Sequence, residues 1–138
     1  MTVVRVSPDD PGADDVLALL QRHLAFANEV TPPGDVHALD VDGLRDAAIS
    51  FFGARCGSDL VGVGALRDLG EGHAEIKSMH TATEARGRGV GRVMLEHLLG
   101  VARERGFRRV SLETGSMDAF APARTLYASV GFVICGPF

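Results

Sequence analysis

Cysteine is scarce: among 138 residues only Cys56 and Cys135 carry thiols, far apart and in apolar surroundings. Neither has a partner at the short spacings of a zinc site or a redox dithiol, so two free, buried thiols in a reducing compartment are expected. The opening residues, MTVVRVSPDD, have no basic region followed by an apolar run, so neither a secretory signal nor a membrane anchor is expected. No apolar run approaches the ~20 residues of a membrane span. The expectation is a cytoplasmic protein with no membrane partner. Positive charge is also short: 14 Lys and Arg stand against 18 Asp and Glu, a formal charge of -4. That balance argues against nucleic acid as a partner, and any basic cluster must serve a local purpose. Repeats and low-complexity segments are absent, and a single domain over residues 1–138 with its own core is expected.

What is present alternates between two periods. TVVRVS reads as a first strand, and DPGADDVLALLQRHLAFANEV as a helix with Asp10 as N-cap, Pro11 at its first position and Val16, Leu19, Leu20 and Leu24 on one face. TPPGDVHALDVDGLRDAAIS begins as a loop and carries a short helix from about Val41 to Ala48. SFFGARCGSDLVGVGALRDLG reads as a hairpin turning at Gly57-Ser58-Asp59, and HAEIKSMHT as a further strand after a turn at Gly70-Glu71-Gly72. From Gly89 the period becomes helical, with Val90, Val93, Met94, Leu98, Val101 and Ala102 on one face and Gly106 as the stop. FRRVSLETG is then a strand, APARTLYASVGF a helix ending at Gly131, and FVICGPF a last strand. The order β-α-(α)-β-β-β-α-β-α-β describes an α/β (α+β) fold, a mixed sheet flanked by helices with a strand-helix-strand crossover from Glu75 to Thr114.

The densest chemical signal is TEARGRGVGRVML, with three glycines and three arginines between Arg86 and Arg92. A glycine-rich turn running into a helix start exposes unpaired backbone N–H groups and the positive end of the helix dipole, where phosphates bind. Glycine permits φ > 0 and close approach of an anion, and Arg86, Arg88 and Arg92 add charge. Composition alone leaves a solvated turn with incidental arginines as the rival. A P-loop is excluded, since Gly91 is followed by Arg92-Val93 where Lys-Ser or Lys-Thr is required. A dinucleotide fingerprint would put its third glycine on Arg92 or Met94, although Glu113 lies where a ribose-binding acid would stand.

Arg86-Gly87-Arg88-Gly89-Val90-Gly91 resembles the Arg/Gln-x-x-Gly-x-Gly/Ala motif of the GNAT superfamily, the acyl-CoA-dependent N-acyltransferases. PARTLYASVGF resembles the later A-x-x-LY-x-x-x-GF segment of the same family, and together the two cover about Glu75 to Phe132. The resemblance implies the GNAT fold, a central mixed, mostly antiparallel sheet, here with the family's last strand missing because the chain stops at Phe138. It implies an acyltransferase that moves the acetyl group of acetyl-CoA, as co-substrate, to a primary amine of a small acceptor by direct attack in a ternary complex. The pyrophosphate would lie on Arg86 through Gly91 (Arg86, Gly87, Arg88, Gly89, Val90, Gly91), and the pantetheine arm would pair with the backbone of Met79, His80 and Thr81.

In the same resemblance Glu75 stands where several relatives carry a general base, with a solvated strand-end acid as the competing reading and Glu113 as a second candidate. Tyr127, the chain's single tyrosine, matches the family's acid for the leaving thiolate, with a packing role as its rival. His80 invites a base reading too, but a strand histidine beside a cofactor more often packs. Asp35, His37 and Asp40 offer polar groups for the acceptor. His23, His37, His73 and His97 lack metal-ligand spacing, so no metal is expected. Phe120 departs from the family, standing where many relatives carry asparagine. Dimers are common in the family, and an uncovered sheet edge invites a homodimer. A non-catalytic acyl-CoA-binding module of the same fold would keep Arg86–Gly91 but need neither Glu75 nor Tyr127.

Overall fold

The computed structural model describes residues 3–30, 41–44, 46–113 and 121–133. Along the described chain run β1 (Val4–Pro8), α1 (Asp14–Val30), α2 (Val41–Leu44), β2 (Ile49–Cys56), β3 (Asp59–Gly70), β4 (His73–Thr81), α3 (Val90–Glu104), β5 (Arg109–Leu112) and α4 (Ala121–Ser129). The strands form one sheet in the order β1-β2-β3-β4-β5. Neighbours are antiparallel except β4 and β5, which the crossover through α3 makes parallel. This is the mixed, mostly antiparallel sheet that the sequence leads one to expect.

Several boundaries move for local reasons. α1 starts at Asp14 rather than behind an Asp10 cap, because the Asp10 carboxylate accepts the Gly12 N–H (2.8 Å) and its carbonyl accepts the Ala13 N–H (3.1 Å), closing a turn first. α2 ends at Leu44 instead of Ala48: the Asp46 carboxylate accepts the Ala48 N–H (2.8 Å) and the Asp46 carbonyl the Ile49 N–H (2.9 Å), so the chain turns into β2. The turn from β3 to β4 falls at Gly70-Glu71-Gly72, all three at positive φ. Phe132 and Val133 are not strand, and the remainder of the expected last strand lies outside the described residues. Cys56 is free but half-buried, not buried, since it ends β2 at a turn; Cys135 lies outside the described residues.

The core lies on both faces of the sheet. Two helices contact the same strands, β3 and β4, from opposite faces: α3 on one and α1 on the other. α1 buries Val16, Leu19 and Leu20. α3 buries Val90, Met94, Leu95, Leu98 and Ala102, while Val93 is 38% exposed. The expected stripe was therefore rotated toward Val93; its true centre is the i, i+4 row through Met94, Leu98 and Ala102, with Leu95 on its flank. None of the described helices is long and apolar enough to cross a membrane.

The contact between α3 and β3 is unusually tight because β3 presents glycine to it. A Cβ on Gly64 would stand 2.9 Å from Met94 Sδ and 3.2 Å from Leu98 Cδ1, and one on Gly62 would stand 2.9 Å from Val90 Cγ1. The helix side chains can thus pack directly on the strand backbone. On the other face Arg22 of α1 holds Glu84 with two hydrogen bonds (2.9 and 3.4 Å), which draws the Glu84 carboxyl down to about 2. The Arg55 guanidinium bonds Asp9 (3.1 Å) and Asp15 (2.7 Å), pinning the start of α1 to β2.

Gly64→Val should cost about 1–3 kcal/mol by overpacking α3 against the sheet. Urea unfolding measures this, and a loss below about 0.5 kcal/mol would show that the helix seat is not set by Gly64.

Candidate functional site

β4 changes partners halfway along. From His73 to Ile76 it pairs with Arg109–Leu112 of β5, and beyond Ile76, among the described residues, it pairs with β3 alone. The register also slips there: Ala65 faces Lys77 but Val63 faces His80, so three steps on β4 oppose two on β3. Ser78 absorbs the extra residue at φ 55°, with its side chain buried and its hydroxyl without a hydrogen-bond partner. Met79, His80 and Thr81, the residues matched to a pantetheine arm, are half-buried along this opened stretch.

After Thr81 the chain makes a single 3-10 turn (Thr83–Ala85), extends through Arg86 and enters α3. Gly87 (φ 80°) and Gly89 (φ 78°) are both left-handed, and a Cβ at either would meet nothing within 4 Å. They are glycines for backbone conformation and openness, not for packing. Gly89 is the N-cap of α3 and offers no side chain, and the first helical bond runs from Val93 N–H to Gly89 O (3.0 Å). The N–H groups of the first turn, Val90 to Arg92, therefore lack helical acceptors and carry the positive end of the dipole.

The remaining motif residues divide differently from the sequence expectation. A Cβ on Gly91 would lie 3.2 Å from Leu126 Cδ2 of α4 and 3.7 Å from Thr81 Oγ1 of β4, so Gly91 brings three elements together. Val90 buries its side chain in the core. Arg92 donates to Ser129 Oγ of α4 (2.8 Å) and lies 3.8 Å from Glu96, which commits its charge to holding α4. Arg86 and Arg88 are exposed on the loop. Tyr127 follows Leu126 on the helix docked to the first turn of α3. It packs edge-on to Phe132 at 6.0 Å, and burial pushes its phenol up to about 12.

The sheet face opposite α3 carries a polar strip. Gly62 and Gly64 face α3, so Val63, Ala65 and Arg67 face away, and their partners His80, Lys77 and Glu75 share that face. Glu75 is 5% exposed, set between Arg67 and Ser111 in mid-sheet; it is not a solvated strand-end acid. Lys77 Nζ lies 3.2 Å from Glu75 Oε1, and beside them His73 Nε2 shares a 2.7 Å hydrogen bond with Ser111 Oγ. Glu113 is exposed just past β5. Asp35, His37 and Asp40 lie outside the described residues. His97 packs edge-on to Phe52 at 4.8 Å, and burial pushes its pKa down. Among the described residues no cluster of three potential metal ligands occurs.

Lys77 and Ser78 are the residues that sequence reasoning passed over. Lys77 had a signal, being the only lysine in a chain whose other cations are arginines. Ser78 had none, because nothing in its neighbours announces a bulge.

The arrangement joins a helix start without a side-chain cap, a stretch of β4 that among the described residues pairs with β3 alone, and a buried carboxylate. The model of the acetyltransferase (GNAT) family matches residues 16–132. The chain is 42% identical over 135 residues to the uncharacterized N-acetyltransferase YsnE of Bacillus subtilis (strain 168), covering 98% of this chain and 89% of that protein. It is 40% identical over 133 residues to the uncharacterized N-acetyltransferase YedL of Escherichia coli (strain K12), covering 96% and 84%. Among solved structures, one assigned as an acyl-CoA N-acyltransferase of Klebsiella pneumoniae superposes with a TM-score of 0.82 at 24% identity, over 99% of this chain and 87% of that one. A Bacillus subtilis acetyltransferase in complex with CoA superposes at 0.76 and 20% identity, over 97% and 79%, which shows the shared fold. On the family match and the two close relatives, this chain belongs to the GNAT family of acetyltransferases and is an acyltransferase enzyme.

Proposed function

We propose that the protein transfers the acetyl group of acetyl-CoA to the primary amine of a small acceptor, by direct attack while both are bound. The observation that carries this reading is the conjunction of the uncapped start of α3 with the opened edge of β4, joined through Gly91 and Thr81. The residues fit such a ligand: the open backbone at Gly87 and Gly89 suits a pyrophosphate, and the edge from Lys77 to Thr81 suits an extended amide-bearing arm. The thioester supplies an activated acetyl group. Structural neighbours solved with acetyl-CoA or CoA bound support the choice of co-substrate.

The net change forms an N–C bond and breaks a C–S bond, converting an ammonium and a thioester into an amide, a thiol and one released proton. Glu75 takes the ammonium proton: its carboxylate lies on the sheet face away from α3, buried beside Lys77. The backbone of Met79 to Thr81 orients the thioester and offers an N–H to its carbonyl oxygen. Tyr127 supplies a hydroxyl to the sulfur. With its pKa raised to about 12 it stays protonated at neutral pH and acts only as a donor. Arg86 and Arg88 add charge beside the phosphates, while Arg92 holds α4, and with it Tyr127, in place.

Calorimetry with CoA separates backbone from charge: Gly89→Val should weaken binding about 10- to 100-fold through strain at positive φ, whereas exposed Arg88→Ala should weaken it only about two- to fivefold. Equal losses would contradict the assignment. Glu75→Gln and Tyr127→Phe should each lower kcat about 100-fold or more with acetyl-CoA binding retained. Because there is one tyrosine, tyrosinate absorbance reads it directly, and its midpoint should lie well above the ordinary 10.0, toward about 12. The sign for stability follows: a folded-state pKa above the unfolded one means that the fold loses stability as pH rises from about 10 through about 12. A tyrosine titrating at its ordinary value would contradict its burial.

A further inference from the structure

The end of α3 opposite its glycine-rich turn also presents positive charge. Arg105, the C-cap of α3, reaches across to β2, where its Nη1 donates to Ser50 Oγ at 2.6 Å. Three other arginines bond side chains elsewhere in the chain: Arg22 holds Glu84, Arg55 holds Asp9 and Asp15, and Arg92, which holds Ser129, has Glu96 at 3.8 Å. Each has a carboxylate within ion-pair reach. Among the described residues Arg105 has none, and a neutral hydroxyl accepts from one of its five N–H donors.

This guanidinium stands between two cavities. One, of about 500 Å³, runs along the β3–β4 turn, where Asp68 and Glu71 line it together with Ser50 and Arg105. Two carboxylates make it a poor receiver of anions. The other, of about 380 Å³, exists because β1 ends at Pro8 opposite Phe52, which leaves Ile49 to Phe51 without a strand beside them among the described residues. Its wall is apolar, formed by Pro8, Pro11, Leu44, Ile49, Phe51 and Phe52. Leu44, Phe51 and Phe52 belong to the core, so the hollow is preformed. Its one carboxylate, Asp9, is already bound by Arg55 at 3.0 Å, and that of the adjoining Asp10 accepts the Gly12 N–H at 2.8 Å. An apolar hollow with one unneutralised cation at its rim thus remains.

Such a hollow binds a ligand by burying its body and fixing its charged end, and its volume is in the range of small-molecule sites. A bare inorganic anion would leave the apolar wall uncovered, and an amine would be repelled by Arg105. We propose that this is a second binding site, for a small carboxylic acid with an apolar body. The carboxylate accepts from the Arg105 guanidinium, and also from the Ser50 hydroxyl, whose own hydrogen is free because its oxygen accepts from Arg105. The site is separate from acetyl transfer and does not rest on it. The 15 residues of α3 put Arg105 about 22 Å from Gly89, and no residue of β4 lines the hollow.

The test is calorimetry of the purified protein with phenylacetate, phenylacetamide and acetate, followed by backbone amide spectra with phenylacetate. Phenylacetate should bind about tenfold or more tighter than its amide, as a hydrogen bond to a charged group requires, and about tenfold tighter than acetate, which has no ring to bury. Resonance changes should centre on Leu44 and on Ile49 to Phe52. Arg105→Met should erase the preference for acid over amide and Arg105→Lys should restore part of it, with CoA affinity reporting on the same variants that α3 is still seated. Ser50→Ala, which leaves the guanidinium in place, carries the test should Arg105→Met not fold: it should weaken phenylacetate about two- to fivefold and its amide less. Equal binding of phenylacetate and phenylacetamide overturns the proposal, as does an unchanged preference in Arg105→Met. So do changes centred on Met79 to Thr81 and Gly87 to Arg92, or no binding of phenylacetate at about 10 mM.

Discussion

The close seat of α3 on β3 is the constraint from which the rest of the site follows. Because Gly62 and Gly64 present no side chains, Val90, Met94 and Leu98 reach down to the strand backbone, and the axis of α3 is fixed against the sheet. Its N-terminus consequently lands at Thr81, where β4 has already parted from β5. A helix displaced outward by added methyl groups would still be a helix with a dipole. It would no longer deliver its unpaired N–H groups to an open strand edge. Packing thus sets the geometry, and the backbone supplies the chemistry.

The two faces of β4 divide the labour. Toward α3 the sheet is apolar and tightly packed, which fixes the start of α3 against it. Toward α1 it carries His73, Glu75, Lys77 and Ser111, a strip of charge and hydroxyls at low exposure. The bulge at Ser78 separates the paired half of β4 from the opened half, and its left-handed φ is a local strain of the kind found where a strand must re-aim. His73 and Glu75 lie on the half that still pairs with β5, whereas Lys77 lies just beyond it. Among the described residues the opened half pairs with β3 alone.

Much of this was legible in the chain. The helical period from Val90, the glycine stops at Gly106 and Gly131, and the turn at Gly70-Glu71-Gly72 are local signals, and local signals set element type. The motif at Arg86 to Gly91 marked the turn that enters α3, where the cofactor site is proposed. Its residues nonetheless differ in role, since the left-handed backbone of Gly87 and Gly89 and the packing of Gly91 depend on what each meets in space. The burial of Glu75 was not legible: an acid early in a strand looks solvated until β5 is placed on its other side, and that pairing is long-range. Lys77 was overlooked because a strand lysine is usually an exposed one. The start of α1 and the end of α2 were missed for a different reason, in that Asp10 and Asp46 used their carboxylates to close turns rather than to cap helices.

The central claim is that the cofactor site is the backbone of the loop from Gly87 to Arg92 together with the open edge of β4 at Met79 to Thr81. The most direct measurement is a titration of the protein with CoA followed through its backbone amide resonances. The account predicts that the largest changes fall on Gly87 to Arg92 and on Met79 to Thr81, with β1 and the β3–β4 turn nearly still. Changes centred elsewhere, with those two segments unmoved, would contradict it.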